Sequence, residues 1–158
     1  MAVDFNKFDK LVNQEQLKKD IEKASEQTFD DVPEGEYIVS IENMEVKETN
    51  ARDKLMISFA FKIKETLDAP KKQNGRFIFM NRVIYGNKVS DRWNDGVAIH
   101  GVLGWLKDLG EIEFKSYTQF AHDIEELFEE LQDSVELQIS YSPDEFYPVS
   151  IIEVFDLN

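Results

Sequence analysis

A mainly β fold with helices is predicted by three features of this 158-residue sequence. Residues 54–64 alternate apolar and polar with a period of two, residues 118–132 keep a helical apolar spacing, and three strand-like runs precede a helical stretch and two further strand-like runs. The composition, 42% apolar and 32% charged, is that of a globular chain and excludes a disordered tail. The longest nearly apolar stretch, residues 97–106, contains His100 and is too short to cross a bilayer. The start, MAVDFNKFDK, lacks the basic and apolar runs of a signal peptide, so a cytoplasmic location is expected. There is no cysteine, which excludes disulfides and thiolate zinc sites.

In chain order, residues 11–27 read as a short helix with a thin apolar stripe (Leu11, Leu17, Ile21), an appendage assigned to residues 1–28. Pro33 and Gly35 mark the entry to the main domain, residues 29–158. The first strand, residues 36–47, carries Tyr37, Val39 and Ile41 in one phase and Met44 and Val46 in the other. A bulge near Glu42 or Asn43 accounts for that slip. The second strand, residues 54–64, sets Leu55, Ile57, Phe59, Phe61 and Ile63 on a core face opposite Lys54, Lys62 and Lys64. The third, residues 76–85, is apolar on both faces, which leaves its phase open.

Ser90 is the expected cap of a helix reaching Leu109. Gly96, Gly101 and Gly104 within it suggest close packing of a neighbour. Residues 118–132 form the stronger helix, with Phe120, Ile124, Leu127, Phe128 and Leu131 on one stripe and a capping box from Ser116 to Gln119. Residues 134–141 and 147–155, joined through Ser142-Pro143-Asp144, read as an antiparallel pair. This order is that of an OB-type five-stranded barrel with a helical insertion between strands three and four and an N-terminal helix. An open sheet on helices fits the same string.

The formal net charge of −14 argues at first against a polyanionic partner. Its distribution argues otherwise. Residues 47–92 carry 11 basic against 5 acidic side chains, whereas no Lys or Arg follows Lys115 and 11 Asp and Glu do. A groove for single-stranded nucleic acid needs cations to follow phosphates and rings on which bases stack. The candidates for phosphate contact are Lys54, Lys62, Lys64, Arg76, Arg82, Lys88 and Arg92, with Lys71 and Lys72 in the loop between strands two and three. Tyr85 and Trp93, beside Gly86 in a loop, are the expected stacking rings, and Phe77 and Phe79 are assigned in part to the core.

Catalytic signatures are poor. His100 and His122 lie on separate helices, and neither a phosphate-binding GxxxxGK[ST] loop nor a GxSxG elbow occurs. Glu45-Val46-Lys47 matches a spacing that some metal-dependent nucleases use, without an identifiable second acidic ligand. No enzyme activity, cofactor or metal is expected.

At Val32-Pro33-Glu34-Gly35-Glu36-Tyr37, then Val39, Ile41 and Glu45-Val46-Lys47-Glu48, the sequence resembles a family of phage and prophage proteins regarded as single-stranded DNA-binding proteins. The similarity continues through residues 54–64, residues 75–85 and the helix ending at Gly110. The resemblance implies an OB-like domain acting in phage replication or recombination, in the host cytoplasm, with replication and recombination proteins as further partners. It departs from the better-known bacterial single-strand binding proteins, whose long acidic tails end in Pro-Phe. Here Glu153-Val154-Phe155-Asp156-Leu157-Asn158 joins directly to a strand. The expected function is sequence-tolerant binding of single-stranded DNA, with no membrane partner and homo-oligomerisation left open. The alternative is an acidic interaction module or DNA mimic that occupies a partner's basic groove.

Overall fold

A computed structural model of the chain describes residues 5–11, 13–19 and 31–157. The chain divides into two compact units, Met1–Asp31 and Val32–Asn158. In the first, α1 (Phe5–Leu11) ends before Asn13, and residues 14–19 are again helical. The expected helix over residues 11–27 is thus interrupted, because Asn13 Oδ1 accepts a hydrogen bond from Gln16 N (3.1 Å) and starts a new helical segment. The rest of that expectation, residues 20–27, lies outside the described residues.

The second unit is a five-stranded antiparallel sheet of β1 (Gly35–Glu48), β2 (Leu55–Asp68), β3 (Phe77–Tyr85), β4 (Val135–Tyr141) and β5 (Val149–Asp156), in the order β3-β2-β1-β4-β5. Between β3 and β4 lie α2 (Asp95–Leu106) and α3 (Tyr117–Leu131). The edge strands β3 and β5 are not hydrogen-bonded to each other, so the sheet does not close as the expected barrel. Among the described residues no helix is long and apolar enough to cross a membrane.

Strand β1 is the central strand and uses both of its edges: residues 36–48 pair with β2, while residues 35–40 pair with β4. The register shift between Ile41 and Asn43 is the bulge that the sequence's change of phase requires. It returns Met44 to the face that carries Tyr37, Val39 and Ile41, and all four are buried. Ile57, Phe59, Phe61 and Ile63 of β2 share that face, as do Ile78, Met80 and Ile84 of β3. Helix α2 covers the core with Ile99, Val102 and Leu106, and α3 with Phe120, Ile124 and Leu127.

Both ends of this arrangement have local causes. Ser116 Oγ accepts from Gln119 N (3.1 Å) and the Gln119 side chain accepts from Ser116 N, the reciprocal box expected at the start of α3. Helix α2 starts later than expected: its cap is Asn94, whose Oδ1 accepts from Val97 N (2.9 Å), whereas Ser90 pairs with Trp93 in an isolated bridge. Of its three glycines only Gly101 meets a neighbouring element. A Cβ there would lie 2.7 Å from the Tyr147 hydroxyl, so the missing side chain is what lets that ring seat against the helix.

Candidate nucleic-acid interface

The outer face of β2 and β3 follows from their register. Lys62 stands opposite Phe77, Ala60 opposite Phe79, Ser58 opposite Asn81 and Met56 opposite Val83, with Leu55 paired to Tyr85 at the far end. Because Ile78, Met80 and Ile84 occupy the buried side, Phe77 and Phe79 must point outward. They are 45% and 64% exposed, and their rings stack on each other at 6.1 Å between centroids and 15° between planes. These are the residues that the reading of the sequence undervalued. Two large apolar rings on a solvent face leave no core reason for their position.

Small and polar groups fill the floor beside them. Ser58 Oγ donates to Asn81 Oδ1 (2.6 Å), and Ala60 leaves open the surface next to Phe79. Lys62 sits between Phe77 and Ser40 of β1, with exposed Lys64 beyond it. The adjoining β2–β3 loop presents Lys71 and Lys72, both exposed. That loop is held from within: Gln73, which is buried, takes a hydrogen bond from Arg76 (2.6 Å) and donates to the Lys71 carbonyl (3.2 Å), while its backbone N–H donates to Thr66 Oγ1 (2.8 Å). Arg76 is therefore engaged in the loop's own framework.

At the other end, Tyr85 is 50% exposed and meets Tyr117 edge-on at 5.7 Å. A shallow depression beside it is lined by Arg52, Lys54 and Leu55 together with Glu48 and Asp53. From Phe77 to Tyr85 the strip spans roughly 26 Å at the usual rise per strand residue. Among the described residues the ion pairs are Lys47–Glu45 (3.7 Å), Lys115–Glu113 (3.8 Å) and His122–Glu126 (3.1 Å). None of these engages Lys54, Lys62, Lys64, Lys71 or Lys72.

Four candidates are placed apart from this strip. Lys88 and Arg92 are exposed on the loop between β3 and α2. Arg82 has the core-side phase of β3, with its guanidinium carbon 4.2 Å from the Phe146 ring centroid and 4.9 Å from that of Tyr147. Burial pushes its pKa down and pushes the Tyr147 phenol up, the latter partly offset by the Arg82 charge. Trp93 is half-buried and meets Phe146 edge-on at 5.2 Å. Glu45 is paired with Lys47 on the outer face of β1, and among the described residues no three His, Asp or Glu side chains come together as metal ligands.

The loop after β3 is fastened by Asp95, whose carboxylate accepts from Gly86 N (3.2 Å), Asn87 N (2.9 Å) and Asn87 Nδ2 (2.8 Å). Gly86 makes the turn at φ +90°, a conformation that a side chain would strain. Burial acts to raise the Asp95 pKa, but the hydrogen bonds from Asn87 and Gly86 outweigh it and hold the carboxyl below the usual range. A depressed folded-state value stabilises the fold above the unfolded pKa of about 3.9, and that stability is lost as the pH falls through the folded value. Asp95→Asn is therefore expected to be less stable than the parent at pH 7, with the gap narrowing below about pH 4. Urea melts at the two pH values measure this, and a gap independent of pH refutes it.

No curated protein and no solved structure matches the chain. A family model does match, over residues 18–148, a range that holds the whole strip from Lys54 to Tyr85 and the loop beyond it. The chain belongs to the family described as "Protein of unknown function (DUF669)".

Proposed function

We propose that this protein binds single-stranded DNA, with little sequence preference, along the outer face of β2 and β3. The observation that carries the reading is the exposed, stacked pair Phe77 and Phe79 beside Lys62, a cation with no ion-pair partner among the described residues. Every base has a π-face, so rings on a surface bind bases whatever the sequence, and nearby lysines take the phosphates. Phosphate contact is assigned to Lys54, Lys62, Lys64, Lys71 and Lys72, and stacking to Phe77, Phe79 and Tyr85. The fold assigned to this role is a partly open, OB-like barrel, whose face over strands two and three is the usual seat of oligonucleotides. Its open side lies between the edge strands β3 and β5, and Arg82 of β3 packs there on Phe146 and Tyr147 of the turn that leads into β5. By the resemblance noted above, the setting is replication or recombination of phage DNA in the host cytoplasm.

Five lysine contacts to phosphate give a log–log salt slope for oligo(dT) binding near −3.5, at about −0.7 per contact. Lys62→Ala with Lys64→Ala is expected to bring the slope to near −2 and to weaken binding uniformly across oligo(dT), oligo(dC) and oligo(dA). Fluorescence anisotropy at several salt concentrations checks both. A salt-independent signal, or no binding at low salt, overturns the proposal.

One feature favours a second reading, an acidic module that binds a partner's basic surface. Helix α3 exposes Glu125, Glu126, Glu129 and Glu130, and no Lys or Arg follows Lys115. In that case oligonucleotides do not bind, and a basic protein competes for the α3 face.

A further inference from the structure

On the opposite side of β3 from the stacked phenylalanines is a cavity of about 200 Å³, lined by Arg82, Val83, Asn87, Trp93, Phe146 and Tyr147. Three aromatic side chains form its walls, and one of them is fixed in orientation. Trp93 Nε1 donates to Asn87 Oδ1 (3.1 Å), while Asn87 Nδ2 donates to the Val83 carbonyl (2.9 Å) and to Asp95 (2.8 Å). Both amide donors of Asn87 are thereby used within the protein, which leaves Arg82 as the charged group available to an occupant.

Arg82 is an unusual side chain to leave in that position. Its Nη1 donates to the Asn81 carbonyl (3.1 Å), but its Nε is buried with no hydrogen-bond partner. Among the described residues no carboxylate lies within ion-pair distance, in a chain that has 32 of them. A guanidinium partly removed from water, with its Nε unpaired, no carboxylate beside it and rings on two sides, matches an anion attached to a planar group. The volume suits one ring system and excludes a run of several.

We propose that this cavity is a nucleotide subsite, taking one base against Trp93 and Phe146 with the adjoining phosphate on the Arg82 guanidinium. The inference rests on the single-strand reading above, and the path between the two sites is short. β3 is an edge strand, so a chain lying across Phe77 and Phe79 reaches the cavity by passing over that edge, where Val83 borders both. The strand would then be stacked on one side of β3 and anchored by a single inserted nucleotide on the other.

The test uses the full-length ¹⁵N-labelled protein and the indole N–H signals of its two tryptophans, assigned with Trp93→Phe. Titration with dTMP is expected to shift the Trp93 signal saturably. Thymidine or inorganic phosphate alone should require at least tenfold higher concentration, and Arg82→Met should lose the dTMP response. Oligo(dT) should move the same signal, with anisotropy of a labelled oligonucleotide reporting total binding. A Trp93 signal unmoved while anisotropy shows oligo(dT) bound overturns the subsite and leaves the single-strand reading standing. No anisotropy change at low salt overturns that reading itself. A shift by phosphate equal to that by dTMP overturns the base-binding half of the assignment. These titrations are made on the unmodified sequence, so they stand even if Arg82→Met fails to fold.

Discussion

Replacing Phe77 and Phe79 together by alanine is expected to weaken oligo(dT) binding by about 2–4 kcal/mol, roughly 30- to 1,000-fold. Each ring on which a base stacks contributes about 1–3 kcal/mol. The pair falls short of twice that because the two rings already share stacked surface, and contacting residues do not add independently. The same double substitution should leave folding stability within about 0.5 kcal/mol per site, because both side chains stand in solvent and neither supports the core. Anisotropy titration and a urea melt on one preparation give both numbers. A variant that binds as tightly as the parent refutes the stacking role, and one that unfolds early shows the rings to be structural.

The opposite outcome is expected one position away on the paired strand. Phe59→Ala is expected to cost about 3–5 kcal/mol, since this ring is fully enclosed, 4.7 Å from Trp105 and 6.2 Å from Phe61 between centroids. Against a typical domain stability of about 5–15 kcal/mol, such a loss removes a large share of the fold. The urea midpoint should fall while the slope of the transition stays the same. A loss under about 1 kcal/mol would mean that the inner face of β2 is not the centre of the core. Phe59 pairs with Met80 and Ala60 with Phe79, so a single step along the pleat separates a ring that holds the protein together from a ring assigned to DNA.

That one-residue step explains which parts of the site were legible. In β2 only one face is apolar throughout, so the alternation of Ile57, Phe59, Phe61 and Ile63 with Ser58, Ala60, Lys62 and Lys64 reveals both the strand and its orientation. The change of phase in β1 likewise located a bulge before any pairing was known. In β3 both faces carry large apolar residues, and a period of two has no sign of its own. The choice between Phe77-Phe79 and Ile78-Met80 as the buried set was open. Two chemical signals were present: the aliphatic set, continued by Ile84, suits a close-packed interior, and the aromatic set lies next to a cationic strand face. Arg82 shows the limit of the same reasoning. By charge it belongs with the lysines, yet its phase turns it to the core side of β3, where Phe146 and Tyr147 arrive from more than sixty residues away.

Local pattern determined the elements of this protein: the strands and their apolar faces, the capping box of α3, and the concentration of basic charge in the middle of an acidic chain. Those features depend on neighbours a few residues apart, and short-range periodicity and hydrogen bonding record them directly. Which face of β3 meets solvent and what surrounds Arg82 were decided only when α2, α3 and the β4–β5 turn packed against the sheet. Burial is a property of the whole assembly, and no stretch of sequence specifies by itself which of its two apolar faces the rest of the molecule will cover.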